Sequence, residues 1–267
     1  MLRFGCSIVL LSLCSDAISQ TAVSDEALLI KTRALYDAPF SRGLVSFDCA
    51  VAFDWKGHFL EVLNTIPPAA VPTIERLQAI QHRVFVDHSG TTVSSIPKAP
   101  ELDGVPKAAE LEHAFNGIIP GALNAWMPFS TNVILPVGST KYNFEKIASG
   151  YKLVMNGAGV AGTLLLAEDL RITSGVSQLP QPMRFTTEFI NGPHGLLMKS
   201  VKTGDTSDGS AGGVADFSYT YQDVEGFQIP SIVRVKPSTS EAWSYELTDC
   251  KVKKGIVIEI GLPKTSP

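Results

Sequence analysis

Near the C-terminal end, two neighbouring runs place apolar residues at alternate positions, Phe217, Tyr219 and Tyr221 in the first and Phe227, Ile229, Val233 and Val235 in the second. Side chains of a strand point alternately to opposite faces, so residues 214–236 read as a half-buried hairpin around a polar turn. The longest alternation lies over residues 44–55, where Val45, Phe47, Cys49, Val51, Phe53 and Trp55 form an apolar row opposite Ser46, Asp48, Ala50, Ala52 and Asp54. It predicts one long strand. Further strands are expected over 151–156, 163–173, 183–190, 195–201 and 242–253, and residues 84–87 and 92–96 flank a hairpin at His88-Ser89-Gly90-Thr91.

Helical spacing is confined to the first half. Ser24 can cap a helix with Asp25 and Glu26 in its first turn and Leu28, Thr32, Leu35 and Tyr36 on one face, ended by Pro39. Residues 57–83 are helical but broken by Pro67, Pro68 and Pro72, with a short helix over 73–81. A longer helix is predicted over 107–127, with Leu111, Phe115, Ile118, Ile119, Ala122 and Trp126 at helical spacing and Gly117, Pro120 and Gly121 placed to kink or break it.

Strands in sequence order joined by short turns make an antiparallel sheet, and one apolar face per strand must be buried. The expected class is α+β, a curved antiparallel sheet (open half-barrel) with helices packed on its concave apolar face. Such a sheet leaves room for an apolar ligand; a complete sandwich without a cavity is the alternative. Residues placed to line the cavity are Phe47, Val51, Phe53, Phe115, Trp126, Phe217, Tyr219, Tyr221, Phe227 and Ile229, which serve equally as plain core packing.

The first residues bear on compartment. Arg3 precedes an apolar run from Phe4 to Leu13, and Ala17-Ile18-Ser19 offers a signal-peptidase site, so residues 1–19 read as a signal peptide and an exported, periplasmic protein is expected. The alternative is a lipid anchor at Cys14, because Leu11-Ser12-Leu13-Cys14 resembles a lipobox. Cys6 and Cys14 fall in the signal, leaving Cys49 and Cys250 as a pair, a disulfide or two buried thiols. Cys250 has the opposite parity to Trp243, Tyr245 and Leu247, so a bulge or an outward Trp243 is required for the sulfurs to meet.

A net charge of −4, from 22 basic and 26 acidic residues in 267, gives no field for a phosphate backbone, so nucleic acid is not expected as a partner. Gly157-Ala158-Gly159-Val160-Ala161-Gly162 fits a dinucleotide motif, but strand-like sequence follows where a helix is needed, which makes it a hairpin turn. His82, His88 and His113 have no metal-ligand spacing, and Asp205 and Asp208 lack a calcium ladder, so neither metal nor cofactor is expected. No G-x-S-x-G elbow occurs, Asp223 and Glu225 read as a solvated turn, and Glu168 and Asp169, neighbours on an expected strand, point apart. A non-enzymatic protein follows.

The export signal, N-terminal helix, long first strand and the stretch Tyr219, Tyr221, Val224, Gly226, Phe227, Ile229, Pro230 together resemble the LolA-like superfamily of periplasmic lipoprotein carriers and outer-membrane lipoprotein-sorting proteins. The resemblance covers residues 24–55 and 151–252. It implies an open half-barrel with helices in its mouth, a cavity for acyl chains, and a single domain over 20–267 carrying a helical, proline-rich insertion around 57–127. The implied function is a carrier for a lipid or acylated protein with transient membrane or envelope-protein contact. An envelope interaction or sensor module with a filled core is the alternative.

Overall fold

A computed structural model describes residues 23–96, 108–157, 161–177, 183–205, 215–238 and 242–255. The chain enters through α1 (Asp25–Ala34), where Ser24 Oγ accepts a hydrogen bond from the Ala27 N–H at 3.2 Å and the capped helix buries Leu28, Leu29 and Thr32. A 3-10 turn, Pro39–Arg42, leads to β1 (Leu44–Phe53). The predicted strand continued to Trp55. It stops at Phe53 because Asp54 turns into an N-cap, accepting from the Gly57 N–H at 2.8 Å, and Trp55 opens α2 (Trp55–Leu63). After α3 (Val71–Gln78) come β2 (Gln81–Asp87) and β3 (Gly90–Ile96), then α4 (Ala108–Ser130), which runs through Pro120 and Pro128 without ending.

The remainder is strand: β4 (Lys141–Ile147), β5 (Gly150–Asn156), β6 (Gly162–Leu166), β7 (Ile172–Ser177), β8 (Met183–Gly192), β9 (Gly195–Asp205), β10 (Ala215–Val224), β11 (Phe227–Pro237) and β12 (Trp243–Lys254). The single strand expected over 163–173 is a hairpin. Leu170 adopts φ 68°, and Ala167 N–H donates to Arg171 O at 2.8 Å to close the turn between β6 and β7. Glu168 and Asp169 therefore sit in a turn, with Asp169 held by Arg171 at 2.6 Å, rather than on opposite faces of a strand. β5 and β6 pair with Met155 opposite Gly162, so the glycine-rich stretch joins strand to strand; residues 158–160 lie outside the described set.

The described strands form one antiparallel open sheet of 12 in the order β3-β2-β1-β12-β11-β10-β9-β8-β7-β6-β5-β4. β4 to β12 follow one another as a meander, and β12 then pairs with β1, bringing the first strand beside the last. At β10–β11 the turn is Glu225-Gly226, with φ 52° and 89°, the left-handed pair that a two-residue hairpin needs. A second close approach is at Gly195, where a Cβ would lie 2.8 Å from the Asp37 nitrogen. Its lack of a side chain lets the segment after α1 bond to β9, with Leu196 N–H donating to Leu35 O at 2.7 Å.

Two bulges correct the predicted row on β1. Register shifts between Leu44 and Ser46, so Val45 is exposed and Ser46 buried, the reverse of the alternation. The second shift sets Cys49 against both Asp249 and Cys250, with Asp249 at φ 45°. Of the two resolutions of the parity conflict, a bulge or an outward Trp243, this is the bulge, and across it Cys49 and Cys250 form a disulfide. Residues 1–22, with the signal-peptide and Cys14-anchor expectations, lie outside the described residues. Among the described helices none is long and apolar enough to cross a membrane.

Candidate functional site

The C-terminal half of α4 lies against one face of the sheet, and its contact side is apolar: Ile119, Ala122 and Leu123 are fully buried, and Trp126 nearly so. Trp126 meets Phe47 of β1 edge-on, ring centroids 6.1 Å apart, and lies 6.4 Å from Phe40. Polar contacts fix the helix from beneath. Tyr219 Oη of β10 donates to Ala122 O at 2.7 Å, and Tyr245 Oη of β12 donates to Ile119 O at 3.3 Å. Burial raises the ionisation of both phenols far above the usual tyrosine range, so both remain donors.

Each residue expected to line a cavity has a definite place. Phe47, Val51, Trp126, Tyr219, Phe227 and Ile229 belong to one buried core cluster, and Phe53, Phe217 and Tyr221 pack against it half-buried. Phe115 lies on α4, but its side chain is outside the described residues. Tyr221 Oη donates to Met198 O at 2.7 Å, linking β10 to β9. Phe227 carries two cations over its ring, Arg42 at 5.4 Å and Lys254 at 5.8 Å from the centroid. Phe53 is surrounded by the rings of Trp55, His82 and Tyr245, with centroids 5.6, 5.8 and 5.6 Å away.

Around Trp126 and Tyr221 the free space is only about 10 Å³, the room of one small molecule such as water. Asp37 borders it; its carboxylate is fully buried and paired with Arg42 at 2.9 Å. Larger openings flank this packed region. One of about 390 Å³ lies between α3 and β1–β2 beside His82, and one of about 560 Å³ lies between α4, the 3-10 turn at Phe40 and the β2–β3 turn.

The residues considered for other chemistry are occupied structurally. Asp223 accepts from Gly226 N–H and Gln228 Nε2, each at 3.0 Å, and Glu225 pairs with Lys254 at 3.0 Å. Among the described residues no cluster of His, Cys, Asp or Glu is arranged to hold a metal ion. His82 is buried on β2 whereas His88 is in the following turn; the side chain of His113 and all of Asp208 lie outside the described set.

Sequence reasoning missed Tyr245, which like Tyr219 donates to a carbonyl of α4, Tyr36, whose Oη accepts the Ile172 N–H at 2.7 Å, and the burial of His82. Tyr245 shares the alternate spacing of Trp243 and Leu247, and that row was the available signal. Comparison of the chain with protein-family models, with curated proteins and with solved structures returned no match.

Proposed function

We propose that this chain is an exported, non-enzymatic binding protein of LolA-like plan, a curved half-barrel that takes up a lipid or acylated protein between its concave apolar face and α4. The observation that carries the reading is how α4 is held. It covers an aromatic-rich face, yet two internal prolines each remove a backbone donor, and two tyrosine hydroxyls supply the polar attachment. A neutral hydrogen bond of this kind contributes about 1 kcal/mol net, whereas each acyl CH2 taken from water contributes about 0.8 kcal/mol. A long chain thus outweighs the two polar attachments and, where the helix lifts, takes over on the sheet the apolar contacts made by Ile119, Leu123 and Trp126.

The second reading, an envelope interaction or sensor module with a filled core, is favoured by the fully buried Ile119, Ala122 and Leu123 and by the small space near Trp126. Uptake of a fluorescent long-chain fatty acid separates the two. The carrier reading expects uptake by the wild type, faster in a Tyr219→Phe/Tyr245→Phe variant, with a co-purifying lipid seen by native mass spectrometry. Uptake that is absent, or whose rate the two substitutions leave unchanged, leaves the filled module.

A further inference from the structure

The opposite face of the sheet, away from α4, has a groove of its own. It spans β6 to β9, encloses about 500 Å³ and is built from two cross-strand rungs. One rung is Thr163, Val176, Arg184 and Gly204; the next is Leu165, Ser174, Thr186 and Lys202. Between them the backbone at Gly175 forms the floor, because the neighbouring side chains of that rung, Leu164 and Phe185, turn to the buried face. Four strands about 4.8 Å apart give a run of about 14 Å.

The two ends differ in character. Over β6 and β7 the lining is exposed Leu165 and half-buried Val176 with Thr163 and Ser174 beside them, whereas over β8 and β9 the exposed side chains are Arg184, Thr186 and Lys202, and among the described residues no acidic one lines the groove. Lys202 is turned partly to Asp216, 3.5 Å away, while Arg184 is exposed and has no ion-pair or hydrogen-bond partner among the described residues. A guanidinium beside an apolar trough matches a ligand with a hydrophobic tail and a carboxylate head. We propose that this groove binds a free long-chain fatty acid, its tail over Leu165 and Val176 and its carboxylate on Arg184. The site is separate from the face under α4 and does not require that face to open.

Gly204 permits a clean test. A Cβ built there meets nothing within 4 Å among the described residues, and its backbone is not left-handed, so Gly204→Leu fills the groove without strain. Binding of a fluorescent long-chain fatty acid is measured by anisotropy on the full chain. The expected results are loss in Gly204→Leu of the binding that prefers acid over methyl ester, and weakening of that binding by about tenfold in Arg184→Gln. The methyl ester should bind wild type and Arg184→Gln equally weakly. An undiminished preference for acid over methyl ester in Gly204→Leu overturns the groove, whether or not uptake under α4 persists. Equal affinity of acid and ester for wild type overturns the role of Arg184. Association with anionic lipid vesicles without binding of the free acid overturns the choice of ligand.

Discussion

His82 shows what a single residue contributes through its surroundings. It sits on β2 with Phe53 edge-on at 5.8 Å, covered from the α3 side by the region of Leu77 and Ile80. Burial penalises its charged form and lowers its pKa from 6.5 to about 4. The unfolded chain therefore binds a proton at this position that the folded chain refuses, and stability rises with pH across that window. Stability from this residue is complete above about 6.5 and is lost as pH falls toward 4, a swing on the order of 3 kcal/mol at about 1.4 kcal/mol per pH unit. Urea unfolding at pH 7 and at pH 4.5 should show this loss in the wild type and a flatter dependence in His82→Gln. The sequence could not announce it, since parity marks which strand face His82 occupies, while the cover comes from α3, whose approach depends on turns between Pro67 and Pro72. Val45 and Ser46 exchanged places for a related reason: a bulge depends on the partner strand, and the partner is some 200 residues away.

Among the elements, α4 carries the most information. Its helical spacing was plain, and its limits moved by only a few residues, yet Pro120 and Pro128 did not break it. An interior proline costs about 3 kcal/mol in an isolated helix; here burial of Ile119, Leu123 and Trp126 offsets that cost. Pro120→Ala restores a donor to the Asn116 carbonyl and should raise stability by about 1–3 kcal/mol, measured as a higher denaturation midpoint. On the carrier reading the same variant slows fatty-acid uptake. Other elements were less legible. β4 was missed because only Tyr142, Phe144 and Ile147 are half-buried and the rest of the strand is exposed, so alternation is weak. The β6–β7 hairpin was read as one strand because Ala167-Glu168-Asp169-Leu170-Arg171 turns without glycine or proline, using Leu170 in a left-handed conformation.

For the whole molecule, closure between β1 and β12 is the decisive contact. Eight residue pairs join these strands, whereas β11 and β12 share four, and the Cys49–Cys250 bond crosses the same seam. A cross-link spanning 201 residues contributes roughly 5 kcal/mol on the chain-entropy account. Cys49→Ser/Cys250→Ser should therefore melt at a lower temperature, and a reducing agent should shift the wild type toward the variant while leaving the variant unchanged. The pairing of cysteines and the antiparallel class were legible in the sequence. The strand order was not, because alternation says which face is apolar and nothing about which strand lies alongside.

That seam also governs when the protein can assemble. A chain made from its N terminus produces β1, β2 and β3 first, but among the described strands they join the meander through β12, among the last segments to be made. The early strands must wait with bare edges while about 150 further residues are synthesised, and docking them then pays the entropy of bringing distant segments together. Slow maturation, and a need for something to shield those edges meanwhile, follow from where the first strand finds its neighbour.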